Sequence, residues 1–216
     1  EAVGRGIRLV QEQKAAGVQL LATGEMGIGN TTTSSAVAAV LLGQPVERMT
    51  GRGAGLSDEG LARKVDAICR GILCNEPDPT DPLDVLAKLG GFDLAGLCGV
   101  FLGGALEGVP VVMDGFISGV AALCAVRLCP RVRDYLFLSH ASYEIGYRLA
   151  ARELDLEPCL LLGMRLGEGS GCPLLFRILQ GACAVLDGMA TFPEAAIEDE
   201  YLTPIRQGDA FTVDKS

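Results

Sequence analysis

Three glycine-rich stretches bring acids, hydroxyls and one lysine into spacings that could do chemistry. The first, GEMGIGN at 24–30, sets Glu25 beside Gly27 and Gly29, then Asn30 and a hydroxyl run at 31–35. Glycines let a backbone approach closely, and the N–H groups, dipole and hydroxyls at a helix start favour an anion, most naturally a phosphate. The pattern lacks the Gly-Lys-Ser/Thr of a Walker A loop and is not a complete GxGxxG. A tight strand-to-helix turn capped by Asn30 fits it equally well.

The second stretch, TGRGAGLSDEGLARK at 50–64, reads as a flexible loop around Gly53, a Ser57 or Asp58 cap, and a helix carrying Lys64. Lys64 is a point charge able to reach an anion held at the first turn; taken alone, it reads as a solvated helix flank. The third, GMRLGEGSGCPLLFRIL at 163–179, stands Glu168 between two glycines where a strand ends, with Ser170 as the cap of the next helix. A carboxylate so placed is either a surface acid or a general base aimed into a cleft. For Asp93 in GGFDLAG and Asp114 in VVMDGF, N-capping is the simpler role. His140 is the only histidine. A Ser-His-Asp or Cys-His enzyme would have to run through it, yet LSHAS carries no nucleophile elbow. It reads instead as a partly buried residue that holds a loop near the cleft, and the pattern favours carboxylate chemistry over nucleophilic hydrolysis.

The elements that must position these residues follow from hydrophobic periodicity. GVQLLATG (17–24), VPVVMDG (109–115), DYLFLSH (134–140) and PCLLLGMRLG (158–167) read as buried strands, each followed by a longer Ala/Leu-rich segment. That alternation predicts an α/β fold with a Rossmann-like, mainly parallel sheet flanked by helices. Leu61, Val65, Ile68 and Ile72 form one apolar helical stripe bordered by Lys64. Asp81 and Pro82 predict a helix start, Gly90 and Gly91 its end, and NEPDPTDP at 75–82 a loop. In an open α/β sheet ligands bind where the strands end, which is where the three glycine stretches fall.

Composition narrows the classes. The chain has 216 residues, 49% hydrophobic and 21% charged, enough for one buried core. A net charge of −9 without a Lys/Arg cluster excludes a nucleic-acid footprint, and charged residues or proline interrupt every apolar run long enough to span a membrane. The eight cysteines form no CxxC pair, so they read as reduced, mostly buried residues of a cytoplasmic protein rather than a zinc site or disulfide framework. The first residue is Glu1 and no signal-like segment follows it, so the expectation is that some sequence lies upstream.

GEMGIGNTTTSSAV, GRGAGL…LARK, GGFDLAGLCGVFLGGA, VPVVMDGFISGVAAL and CLLLGMRLGEGSG occur in that order, and from 17 to 197 the chain resembles the nicotinate-nucleotide:dimethylbenzimidazole phosphoribosyltransferase family. The resemblance implies displacement of nicotinate from C1′ of nicotinate mononucleotide by a ring nitrogen of 5,6-dimethylbenzimidazole, without metal or cofactor. Glu168 would be the general base. Gly27, Gly29 and Asn30 of the GIGN turn would hold the 5′-phosphate, Lys64 would add the cation, and Gly53 would line the same pocket. Glu25 and Asp114 would position ribose and nicotinate, and Ser142 would meet the nicotinate carboxylate.

The resemblance also implies a homodimer, with LCGVFLGGAL or FISGVAALCAV as contacts unless these helices simply cover the sheet. It makes 1–197 the nucleotide-binding core with remnants of a smaller helical domain, and leaves 198–216 as a tail. The family's N-terminal part, which contributes to the acceptor pocket, has no counterpart here. Transfer to another acceptor such as adenine or a phenol, and an inactive fragment that binds a mononucleotide or mediates oligomerisation, therefore stay as alternatives.

Overall fold

The computed structural model describes residues 1–53, 55–198 and 203. They divide into two compact units, Glu1–Phe176 and Arg177–Ser216. Within the first unit the order is α1 (Ala2–Ala15), β1 (Leu21–Thr23), α2 (Thr31–Leu42), α3 (Val46–Met49), α4 (Asp58–Asn75), α5 (Pro82–Leu89), α6 (Phe92–Glu107), β2 (Val111–Met113), α7 (Gly115–Leu128), β3 (Leu136–Leu138) and α8 (Tyr147–Glu153). A 3-10 segment, Pro130–Tyr135, leads into β3, and α9 (Cys172–Gly188) begins at the end of this unit. In the second unit α9 finishes and a turn follows in which Thr191 N and Oγ1 both donate to Glu194 Oε2 at 2.8 Å. Of the expected tail at 198–216, only Glu198 and Thr203 belong to the described residues.

The sheet is parallel throughout, ordered β1-β2-β3, with Leu21 paired to Val111 and Val111 to Leu136. Parallel neighbours need crossovers, and the chain supplies them as helices: α2 to α6 between β1 and β2, α7 between β2 and β3. Central β2 buries every residue, so it has no solvent face and is apolar throughout.

The fourth expected strand, 158–167, is not formed. Only one parallel bridge, His140 to Leu160, continues the sheet there. Leu161, Leu162 and Leu166 are exposed, and Gly163 and Gly167 take φ of 64° and 73°, which breaks an extended run. Periodicity alone does not distinguish a buried apolar run from an exposed one, which is why this segment has the sequence pattern of a strand.

Helix punctuation matches its chemistry at the starts of α4 and α5. Ser57 Oγ accepts from Gly60 N at the start of α4, and Asp81 accepts from Leu83 N and Asp84 N at the start of α5, with Pro82 at the first helical position. Along α4, Lys64 and Ile68 are buried while the opposite flank is exposed. α7 is buried from Phe116 to Ala125, so it covers the sheet inside the chain and presents no face for a dimer contact. α6 packs against α1: a Cβ on Gly99 would overlap Val3 O, so only glycine permits that helix crossing. Fully buried Phe101, Leu94, Met113, Leu123 and Leu138 anchor one core, each contributing about 1.5–3 kcal/mol by leaving water.

All eight cysteines are free, but only Cys98, Cys124 and Cys172 are buried, correcting the expectation that most would be. Burial pushes the Cys98 and Cys172 thiols up to about 12 and the Cys124 thiol higher still, which keeps them protonated and inert.

Candidate functional site

The carboxyl ends of the three strands open into a cleft of about 700 Å³, which adjoins a smaller pocket of about 380 Å³. Gly27, Thr31, Arg52 and Gly53 line both, so the two are continuous.

The smaller pocket sits at the head of α2. Gly27 and Gly29 hold φ of 84° and 82°, values that shape the turn and that only glycine takes without strain. Asn30 stands at the N-cap position, but its side chain makes no cap bond: Nδ2 donates instead to Asp93 Oδ2 at 2.8 Å. This corrects both cap expectations, since Asp93 is taken by Asn30 and Gly91 occupies the N-cap of α6. With no side chain capping α2, the head of the helix retains its affinity for an anion. A carboxylate already sits on one donor there, for Gly27 N donates to Glu25 Oε2 at 2.7 Å.

Lys64 reaches this turn across the pocket. Its Nζ donates to Thr31 Oγ1 at 2.9 Å and to Gly51 O at 3.1 Å, and the side chain is buried rather than a solvated flank. Desolvation lowers its pKa, and the nearby Glu144 carboxylate partly restores it. A Cβ on Gly53 would stand 3.2 Å from Thr31 Oγ1 and 3.8 Å from Lys64 Nζ, so Gly53 is a wall of the same pocket.

The larger cleft is floored by Asp114 and His140. Asp114 follows β2 at the N-cap position of α7, yet caps nothing with its side chain. Its Oδ1 accepts from Ser139 Oγ at 2.6 Å and lies 2.8 Å from His140 Nδ1, while Oδ2 is buried without a partner. An unpaired buried acceptor costs about 1–3 kcal/mol. His140 is fully buried rather than partly, and Tyr147 Oη donates to its carbonyl at 2.8 Å. Ser142 also lines the cleft, its Oγ accepting from Glu144 N at 3.3 Å.

The third glycine stretch is pressed onto β1. A Cβ on Gly24 would stand 2.5 Å from Gly169 Cα and 2.6 Å from Glu168 C, and Glu168 N donates to Glu25 O at 3.2 Å. Gly167 lines the cleft; Glu168 beside it is exposed and holds φ of 58°, the left-handed region. Ser170 does not cap α9 either, because its buried Oγ has no partner.

The structure thus gathers Gly27, Gly29, Gly53 and Lys64 around one pocket, with Glu25, Asp114 and Ser142 in the adjoining cleft, and leaves Asn30 and Glu168 outside the lining residues of both. Sequence reasoning missed Ser139, Glu144, Arg52 and the Arg165–Tyr143 stack, whose guanidinium lies 4.0 Å from the ring centroid. Ser139 had a signal, adjacency to the lone histidine, and Arg52 and Arg165 lie within the second and third glycine-rich stretches; Tyr143 and Glu144 had none beyond residue type. Among the described residues, no group of three His, Cys, Asp or Glu side chains could hold a metal, and no helix is long and apolar enough to cross a membrane.

A family model described as phosphoribosyltransferase matches residues 1–197. The chain belongs to this phosphoribosyltransferase family. It is 54% identical over 197 residues to the nicotinate-nucleotide–dimethylbenzimidazole phosphoribosyltransferase of Roseiflexus sp. (strain RS-1), a match covering 91% of this chain and 56% of the relative. The enzyme of the same name from Ruminiclostridium cellulolyticum is 52% identical over 198 residues, covering 92% and 56%. The crystal structure of CobT from Thermus thermophilus superposes with a TM-score of 0.84 at 42% identity, covering 92% of this chain and 59% of that one. The chain therefore spans little more than half the length of the curated relatives it matches.

Proposed function

We propose that this chain carries the donor-nucleotide half of a phosphoribosyltransferase that moves the phosphoribosyl group of nicotinate mononucleotide to 5,6-dimethylbenzimidazole. The products are α-ribazole 5′-phosphate and nicotinate, the chemistry of cobalamin nucleotide-loop assembly. The observation that carries this reading is the convergence of Lys64 and Thr31 on the uncapped head of α2, beside a cleft large enough for a pentose and a heterocycle.

The 5′-phosphate sits between the Gly27–Gly29 turn, Asn30 and Lys64, displacing the Glu25 carboxylate from Gly27 N. Glu25 is then released toward the sugar, and Gly53 closes the pocket. Asp114 and Ser142 position the ribose and nicotinate. One ring nitrogen of the azole attacks C1′ as its bond to the pyridinium nitrogen breaks, and the Glu168 carboxylate takes the proton from the other ring nitrogen. Nicotinate departs with a neutral ring, so no general acid is required.

One observation favours a second reading: Glu168 is exposed, so the chain alone binds donor without transferring it. On the free thiols and the family resemblance we also take the chain to act in the cytoplasm as a homodimer. Incubation with both substrates, followed by mass spectrometry for α-ribazole 5′-phosphate with Glu168→Gln alongside, tests the assignment. Product from the parent and far less from the variant supports transfer. Nucleotide binding without product supports the second reading, and no nucleotide binding removes both.

A further inference from the structure

The loop after β3 carries three cleft-lining residues in a row, Ser142, Tyr143 and Glu144, and two of them reach different loops. Tyr143 stacks on Arg165, whose guanidinium lies 4.0 Å from the ring centroid. Glu144 reaches the second glycine stretch, where a Cβ on Gly51 would overlap its Oε2. The backbone of Gly51 is not left-handed and does not itself call for glycine, so what the missing side chain leaves is room for that carboxylate. We infer that Glu144 is a built-in competitor for the anion pocket: its carboxylate is seated over Gly51 beside Lys64, and a phosphate entering on Lys64 must drive it from that seat. This rests on the donor-nucleotide reading above and deepens it by naming what the phosphate competes with.

Gly51 brings the two charges together. Its carbonyl accepts from Lys64 Nζ at 3.1 Å, while the space over its Cα holds the Glu144 carboxylate, and through that proximity the acid raises the lysine pKa that burial lowers. Among the described residues no hydrogen bond reaches either carboxylate oxygen of half-buried Glu144, so attraction to the ammonium is what keeps it in place. A phosphate bound by Lys64 and Thr31 brings a stronger negative charge to the same cation, and in a partly desolvated pocket the two anions repel. The carboxylate is the one able to give way. Ala141 N donates to Leu160 O at 3.0 Å, and a Cβ on Gly146 would stand 2.7 Å from Phe116 and 2.9 Å from Met49, so the chain is fixed on either side of residues 142–145. Those four have few ties of their own: the Tyr143 stack, with the tyrosine 70% exposed, the bond from Glu144 N to Ser142 Oγ at 3.3 Å, and that from Tyr147 N to Glu144 O at 3.1 Å. Glu25 offers a parallel, its carboxylate 2.7 Å from Gly27 N at a donor that the same phosphate would take.

Calorimetric titration at neutral pH with nicotinate mononucleotide, and with the riboside that lacks its phosphate, tests the inference on the parent, Glu144→Gln, Gly51→Ala and the double variant. Glu144→Gln removes the competing charge, whereas Gly51→Ala keeps the charge and fills its seat. Each should tighten the mononucleotide by about three- to tenfold, the scale of one like charge removed at close range, and neither should tighten the riboside. The double variant should bind no more tightly than the tighter single variant, because both changes end the same competition. Should Gly51→Ala fail to fold, Glu144→Gln decides alone by whether its gain is confined to the mononucleotide. No gain in Glu144→Gln, a gain there but none in a folded Gly51→Ala, additive gains in the double variant, or a gain shared by the riboside would overturn the inference and leave the donor-nucleotide reading standing. Failure of every one of these proteins to bind the mononucleotide would overturn both.

Discussion

Lys64 Nζ donates to Thr31 Oγ1 across 2.9 Å, joining the middle of α4 to the first residue of α2 over a gap of 33 positions in sequence. The bond places the one buried lysine among the described residues at a helix head that no side chain caps. Replacing Lys64 with Gln keeps a hydrogen-bond donor but removes the charge. Affinity for nicotinate mononucleotide should fall by about 10- to 100-fold, the value of a charge-assisted bond to phosphate, with little change for nicotinate alone. Titration calorimetry with both ligands checks this, and equal losses for the two would place Lys64 outside the phosphate site.

The environment of Lys64 also sets a pH dependence. Burial lowers its pKa from 10.5, and Glu144 opposes part of that shift. Below the lowered native value the ammonium is charged in both folded and unfolded chains, and its burial cost is fully present. As pH rises from there toward 10.5, the native group loses its proton first, the unfolded chain holds more protons, and folding stability from this group increases. Phosphate affinity runs the opposite way, falling as the ammonium is lost. Glu144→Gln removes the opposing charge, so the fall in nucleotide affinity should begin at lower pH than in the parent. Dissociation constants measured from neutrality to pH 10.5 decide it, and superimposable profiles would detach Glu144 from Lys64.

The contact of Gly24 with the Glu168 loop is backbone against backbone. A Cβ there would overlap Gly169 N and stand 2.5 Å from Gly169 Cα, and no flexible side chain can give way. Gly24→Ala should destabilise the chain by about 1–3 kcal/mol, the usual cost of overpacking, and lower the melting temperature by several degrees. Because Gly171, two residues beyond Gly169, has no room for a Cβ against Asp114 Oδ1, a shift of this loop reaches the floor of the cleft and nucleotide affinity should fall as well. An unchanged melting temperature would show that the loop is free to lift from β1.

How much of this was legible in the sequence depends on which force decides each element. β2 and β3 were readable because each is an apolar run that is buried, β1 from the apolar run that leads into the first glycine turn although its Ala22 is exposed, and the caps at Ser57 and Asp81 because their chemistry is local. The run at 158–167 misled because Leu161, Leu162 and Leu166 have the composition of a strand but lie exposed, a fact of tertiary position that no window contains. The Asn30 and Asp114 caps failed for the opposite reason: a distant partner, Asp93 in one case and Ser139 in the other, outcompeted the local helix end. The glycine turns and Lys64 emerged from residue type and spacing, whereas Glu144 and Arg165 enter the cleft only through the fold.

Glu168 separates stability from activity. It is a non-glycine residue at φ of 58°, flanked by glycines at 73° and 80°, so its side chain is retained against a backbone preference worth about 1–2 kcal/mol. Glu168→Gly should relieve that strain and raise the unfolding free energy by about 1 kcal/mol, while Glu168→Gln should leave it nearly unchanged. Both remove the carboxylate proposed to accept the azole proton, so on that proposal both should lose transfer while keeping nucleotide affinity. Denaturant unfolding and product assays on the pair resolve the two effects. A glycine variant that is more stable and inactive would mean that the strained conformation is kept for the carboxylate; a variant as active as the parent would remove Glu168 from the chemistry and leave the base to be sought among Glu25 and Asp114.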